Sequence, residues 1–178
     1  MSVLVVPSPI GALLLREDAG SLVEVAFVSS TFSQTPPFES ELAAARTLAD
    51  DVSTFDPSAT PPILRRAAAQ LAEYFAGTRT RFALPLAPVG TEFQRRVWAA
   101  TAAIPFGETA TYGAVARTLG LPRGARAVGG ALNRNPLAIV VPCHRVVGSS
   151  GRLTGYDGGL ARKAFLLNLE RPKTPRLF

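Results

Sequence analysis

Cys143 and His144 are the only cysteine and the only histidine in a chain of 178 residues, and they are adjacent, with Arg145 next. A lone cysteine is ordinarily a small buried hydrophobe. Here three features argue for a nucleophile instead. The only imidazole is its neighbour, cations that favour a thiolate are close, and the pair follows an apolar run that ends in Pro142, a place where a side chain can be presented to a cleft. Adjacency does not make a dyad, because neighbours in an extended segment point to opposite faces. Either the backbone turns sharply at this point or a water carries the proton. A further group must then orient the imidazole, and Glu170 and Glu108 are the candidates. The residues taken alone predict an activated cysteine. The same counts exclude an intramolecular disulfide and a structural zinc site, which needs several Cys or His ligands, so no metal is expected.

The elements that must hold these residues divide the chain into two halves, with domains predicted over 1–88 and 89–178. The first half reads as small and α+β. Segments 2–6 and 12–16 flank a Pro/Gly turn as a hairpin, and 22–28 alternates as a third strand. Helices are predicted over 39–49 and 63–76, the second with Ile63, Ala67, Leu71 and Phe75 on one stripe and Gly77 as its stop. Pro/Ser/Thr-rich stretches 29–37 and 53–62 read as loops, and 82–90 as a linker or edge segment. No chemical constellation is legible in this half.

The second half reads as mainly helical. Thr91 and Gln94 have the spacing of a capping box, and the helix they open places Phe93, Val97, Ala100 and Ile104 inward until Pro105. A short helix over 111–120 and a second running from Pro122 to about Asn133 form a helix-turn-helix candidate carrying Arg123, Arg126 and Arg134. The apolar run 137–141 is predicted to be a buried strand. Gly-rich loops follow, and a last helix over 160–170 turns Leu160, Ala164 and Leu167 to the core.

Charge is distributed unevenly. Residues 1–90 carry six Arg and nine acids, and residues 91–178 carry thirteen Lys or Arg and four acids, so −3 and +9 sum to the formal +6. A basic half beside a mildly acidic one suggests that only one half faces a polyanion. Arg supplies 17 of the 19 cations, which suits phosphate forks and stacking on bases. The apolar start is broken by Pro7, Pro9 and Gly11, so neither an export signal nor a membrane span is expected, and a free thiol suits the reducing cytoplasm.

The segment Pro142-Cys143-His144-Arg145-Val146-Val147 resembles the active-site motif of the O6-alkylguanine-DNA alkyltransferases. The resemblance extends over about 80 residues in order. It takes in Phe93-Gln94, Val97-Trp98, Ile104-Pro105-Phe106-Gly107-Glu108-Thr109, Thr111-Tyr112-Gly113, Ala125-Arg126-Ala127-Val128-Gly129, Asn135-Pro136, Gly155-Tyr156, Gly158-Gly159, Leu166-Leu167 and Leu169-Glu170. The first half matches that family only in length and texture.

The resemblance implies a fold in which a small α/β domain, RNase H-like in the family, precedes a mainly helical domain with a helix-turn-helix. It implies that Cys143 accepts an alkyl group from O6 of guanine, and from O4 of thymine, in double-stranded DNA, once per molecule. His144, held by Glu170, would activate the thiol through water. Asn135 would brace the turn ahead of the cysteine. Tyr112 would rotate the phosphate and donate to the departing base, and Arg126 would enter the space left by a flipped nucleotide, with Arg123 and Ala125 beside it on the DNA. Val146, Tyr156 and Asp157 would line the base pocket. No cofactor and a monomeric state are implied. Asp157 departs from the Ser of some members, which bears on selectivity, and the Cys/His zinc ligands found in some first domains are lacking. A damage-binding module without transfer, and a Cys/His hydrolase, are the competing classes. Cys143 disfavours the first, and a single histidine the second.

Overall fold

The computed structural model describes residues 1–28 and 60–172. The expected helix over 39–49, the loop over 29–37 and residues 53–59 of the second loop lie outside them. Chain order is β1 (Ser2–Val6), β2 (Leu13–Asp18), β3 (Ser21–Phe27), α1 (Pro62–Phe75), α2 (Glu92–Ala102), β4 (Ala110–Thr111), α3 (Tyr112–Thr118), α4 (Ala125–Leu132), a 3-10 turn (Cys143–Arg145), β5 (Val146–Val147) and α5 (Leu160–Glu170). This is a mixed architecture, with a small sheet in the first half and a helical second half. Among the described residues no helix is long and apolar enough to cross a membrane.

β1, β2 and β3 form an antiparallel sheet in chain order. Leu4, Leu13, Leu15, Leu22 and Val25 are buried from the sheet, and α1 covers them with Ile63, Leu64, Ala67 and Leu71. The outer edge of β3 is not left open. Leu22 accepts and donates backbone hydrogen bonds with Ala87 and Pro85, so the 82–90 segment is the edge segment expected of it. Further along, the Val25 amide donates to the Pro136 carbonyl and the Ala138 amide to the Val25 carbonyl. The first half therefore grips the chain shortly before Cys143.

In the second half the capping box forms as the sequence predicts: Thr91 Oγ1 accepts from the Gln94 amide and Gln94 Oε1 from the Thr91 amide. α2 buries Val97, Trp98 and Thr101, and the Trp98 indole donates to the Ala131 carbonyl at 2.9 Å, tying α2 to α4. α3 starts from Thr111, whose hydroxyl caps the Ala114 amide.

Three expectations are overturned. Segment 137–141 is buried but is not a strand: it is a run of turns, with Val140 N bonded to Ala138 O and Val141 N to Leu137 O. An unbroken apolar run reports burial and not conformation. The second helix of the basic pair begins at Ala125, because residues 121–124 close a turn from Gly124 N to Leu121 O. Arg123 thus lies on the turn and Arg134 beyond the helix. Finally, α5 has its expected bounds, but its buried face is Arg162, Lys163, Leu166 and Glu170, while Leu160 is exposed. The charges on that face are tolerated because each is hydrogen-bonded. Arg162 donates to the carbonyls of Ile10 and Gly158 and stacks on Phe27.

Candidate active site

Asn135 builds the approach to the cysteine. Its Oδ1 accepts from the Leu137 amide, and its Nδ2 donates to the Val141 carbonyl at 3.0 Å and to Cys143 Sγ at 3.3 Å. Between these anchors Ile139 is held at a φ of 70°. A β-branched residue in that region is strained by about 1–3 kcal/mol and persists only where its surroundings over-determine it. Pro142 then leads into the 3-10 turn. The backbone does turn here, but the turn does not bring the imidazole onto the thiol: Cys143 remains partly accessible, whereas His144 is fully buried and its ring bonds to Glu170.

Behind the turn lies Glu170. His144 Nε2 meets its Oε1 at 2.8 Å, Arg145 Nε its Oε2 at 2.7 Å and Arg145 Nη2 its Oε1 at 3.0 Å. The Tyr74 hydroxyl donates to Oε1 at 2.6 Å, and the Gly107 amide to Oε2 at 3.3 Å. Gly107 has a φ of 82°, and a Cβ there would stand 2.8 Å from the Glu170 carbonyl oxygen, so this approach is open to glycine alone. Burial by itself would raise the Glu170 carboxyl. The hydrogen bonds from His144, Arg145 and Tyr74 prevail and hold it at about 2. It is therefore an ionised, acceptor-only group, and the proton on this contact belongs to His144 Nε2. Burial lowers the His144 pKa, and the nearby cations Arg145 and Lys163 oppose its charging further, against the pull of Glu170. His144 is thus neutral, and its Nδ1, buried without a partner among the described residues, is the free base. Of the two orienter candidates it is Glu170 that holds the ring.

The surroundings of Cys143 favour the thiol over the thiolate. Burial raises its pKa, and the Asn135 hydrogen bond and Lys163 only partly offset this, while Asp157 raises it further. The relevant cation is Lys163 and not Arg145, whose guanidinium is spent on Glu170 and the Ile104 carbonyl. Lys163 is itself buried, donating to the carbonyls of Val146 and Thr154 at 2.6 and 2.8 Å.

Cys143 opens on a cleft of about 320 Å³ lined also by Tyr112, Gly130, Asn133, Tyr156 and Asp157. The Tyr112 hydroxyl donates to the Thr154 carbonyl at 3.1 Å. Tyr156 packs edge-on against Phe27, and its buried hydroxyl has no partner among the described residues. A Cβ on Gly158 would fall 2.4 Å from that Phe27 ring, so the loop closes over the first half only with glycine here. Asp157 is exposed at the cleft, and Arg123 and Arg126 are exposed on the α4 side, with Ala125 half-buried at its start. Val146, expected in the base pocket, is fully buried and does not line the cleft; it pairs with Ala110, and its carbonyl accepts from Lys163. The structure therefore brings Cys143, His144, Glu170 and Asn135 together, and Tyr112, Tyr156 and Asp157 to the same cleft.

Sequence reasoning missed Tyr74 and Lys163. The stripe read from the sequence ended on Phe75, whereas the structure buries Tyr74 and leaves Phe75 partly buried; the one signal for Tyr74 was its place three residues after Leu71. Lys163 had a clearer one, a charge on the inward arc of a helix.

Comparison with known proteins bears on this geometry. Residues 92–172 match the family described as 6-O-methylguanine DNA methyltransferase, DNA binding domain, and residues 3–88 match its ribonuclease-like domain. The methylated-DNA–protein-cysteine methyltransferase of Mycobacterium leprae is 46% identical over 164 residues, covering 92% of this chain and 88% of that one. Its counterpart from Methanosarcina acetivorans is 58% identical over 106 residues, covering 60% and 68%. The crystal structure of Mycobacterium tuberculosis O6-methylguanine methyltransferase superposes with a TM-score of 0.75 at 40% identity, covering 98% and 94% of the two chains. The M. tuberculosis OGT in complex with DNA does so at 0.73 and 39%, covering 97% and 94%.

Proposed function

This chain belongs to the 6-O-methylguanine DNA methyltransferase family, and we propose that it repairs O6-alkylguanine in double-stranded DNA by moving the alkyl group onto Cys143. The observation that carries this reading is a thiol opening on a cleft with a neutral, carboxylate-anchored imidazole directly behind it.

Cys143 Sγ attacks the alkyl carbon as its proton passes through a bridging water to His144 Nδ1. The C–O6 bond breaks, a C–S bond forms, and the base leaves with the electron pair on O6. Because the thiol starts protonated, its deprotonation belongs to the reaction and is not completed beforehand. Asn135 fixes Sγ, and Lys163 favours the developing thiolate. Tyr112 donates the proton that the departing guanine needs. A thioether is not reduced as a disulfide is, so each molecule acts once. O4-alkylthymine presents the same alkyl–oxygen bond and is proposed as a second substrate.

The reacting carbon lies inside the base stack, so the nucleotide must be flipped out at a cost of a few kcal/mol. We assign α3, the 121–124 turn and α4 as a helix-turn-helix that lies in the minor groove, with Arg126 filling the vacated stack and Arg123 and Ala125 on the backbone. Such docking reads little sequence, as a repair protein requires. Residues 1–88 are proposed as an RNase H-like support domain and 89–178 as the reactive one.

Incubation with a duplex carrying O6-methylguanine, followed by intact-protein mass spectrometry, tests the reading. One methyl in place of one hydrogen on Cys143 is the expected product, and an unmodified protein after complete mixing would sink the idea. Arg126→Ala is expected to slow transfer from duplex about 10–100-fold, the worth of part of the flipping cost. Transfer from the free alkylated base should stay unchanged, and equal losses on both substrates would remove the flipping role. Asp157→Asn is expected to speed both transfer and carbamidomethylation of Cys143 by about two- to fivefold, a modest gain because the carboxylate is exposed. Unchanged iodoacetamide kinetics would show that Asp157 does not act on the thiol.

A further inference from the structure

The first half of the chain supplies one side chain to the charged group behind the nucleophile. Tyr74, on α1, is fully buried among Phe75, Phe82 and Phe106. Its hydroxyl lies 2.6 Å from Glu170 Oε1, the oxygen that also takes His144 Nε2 and Arg145 Nη2. Oε2 has two donors, Arg145 Nε and the Gly107 amide. The second half alone thus satisfies the carboxylate, and Tyr74 makes a third donor on a single oxygen. A phenol in that place competes with the imidazole N–H for Oε1, and it also stops the carboxylate from rotating.

We propose that Tyr74 is a positioning residue for the transfer reaction: by sharing Glu170 Oε1 with His144 it fixes the carboxylate and limits the negative charge that the imidazole feels. The first half then does more than support the cysteine loop. It sets the basicity of the relay from 96 residues away. This inference rests on the proposed role of His144 as the base.

The consequence has a definite sign. A carboxylate relieved of the phenol bond is more basic and stabilises the imidazolium more, so His144 becomes easier to protonate. The other groups acting on the pair are Arg145 from the same turn, Lys163 from α5 and Tyr156 at the cleft. None is altered by removing one hydroxyl, and both cations keep opposing the imidazolium. Burial and the Glu170 contact raise the pKa of Tyr74 itself, so it is a neutral donor throughout.

Tyr74→Phe keeps the ring and tests this in the full-length chain. His144 is the only histidine, so its ring signals in a ¹H–¹⁵N titration need no assignment. The His144 midpoint is expected to move to higher pH in Tyr74→Phe, and the acid limb of the transfer rate to move with it. Leu71→Ala, a cavity on the same helix away from Glu170, should lower the melting temperature and leave both where they were. Superimposable titrations of wild type and Tyr74→Phe would overturn the proposal, as would an equal shift in Leu71→Ala. A wild type that forms no adduct refutes the functional reading and not the Tyr74–Glu170–His144 coupling, which the titration reads directly.

Discussion

Cys143→Ala is expected to abolish alkyl transfer outright while binding to duplex persists. The variant has no other thiol, since Cys143 is the only one in the chain. No other described residue of the cleft offers a comparable nucleophile: the hydroxyls of Tyr112 and Tyr156 are phenols, that of Tyr156 is buried, and Thr154 carries only an alcohol with no base beside it. The basic residues proposed to hold DNA, Arg123 and Arg126, are exposed on the turn and helix that precede the active-site segment. Their attraction for phosphate does not depend on the thiol. Intact mass after incubation with O6-methylguanine duplex should show no added methyl, and a mobility-shift titration at fixed salt should give an affinity close to that of the wild type. An adduct on the variant would move the acceptor elsewhere. Loss of binding together with transfer would mean that the side chain holds the fold of the cleft and does not only react.

Glu170→Gln is expected to cost about 3–5 kcal/mol of stability, the usual penalty for stripping one partner from a buried ion pair. The substitution keeps the size of the side chain, but it leaves the buried Arg145 guanidinium without a counter-charge and turns an NH₂ toward a donor. At roughly 2–4 °C per kcal/mol for a chain of this length, the melting temperature should fall by roughly 6–20 °C. Transfer should fall by about 10²–10⁴-fold, the range for losing an oriented general base. The pH dependence is a second signature. Glu170 titrates at about 2 in the folded chain against an ordinary 4.5. Its contribution is therefore complete above pH 4.5 and is lost as the pH falls from 4.5 toward 2. His144 acts in the same direction. Its folded pKa lies below the ordinary 6.5, so the unfolded chain takes up the proton first and stability declines once the pH drops below that value. Melting curves from pH 7 to 3 should slope downward for the wild type. Those of Glu170→Gln should be flatter in the lower part of the range, and parallel curves would show that Glu170 does not carry the acid sensitivity.

Much of this was legible in the sequence because it is local. The capping box at Thr91 and Gln94, the bounds of the last helix and the stop at Gly77 are decided within a few residues by caps, periodicity and backbone freedom. The candidate site was legible for a different reason: one cysteine beside one histidine leaves a single place for nucleophilic chemistry, and the surrounding motif resembles a family in which that chemistry is known. The expected strand before Cys143 failed because hydrophobicity measures burial. What folds residues 137–141 is the Asn135 amide and the edge of β3, the latter more than 100 residues distant in the chain.

The sequence by itself determined the proposed reagent, a lone thiol with a lone imidazole, and the basic half that carries it. Only the tertiary structure decided how that thiol is governed. It put His144 behind the turn and not beside the sulfur, replaced Arg145 by Lys163 as the cation that acts on Cys143, and added to the Glu170 shell a tyrosine from the other half. The physical reason is that a buried charge must find partners wherever packing brings them. Those partners lie 25, 26 and 96 residues from Glu170, a range over which no local pattern in the chain carries information.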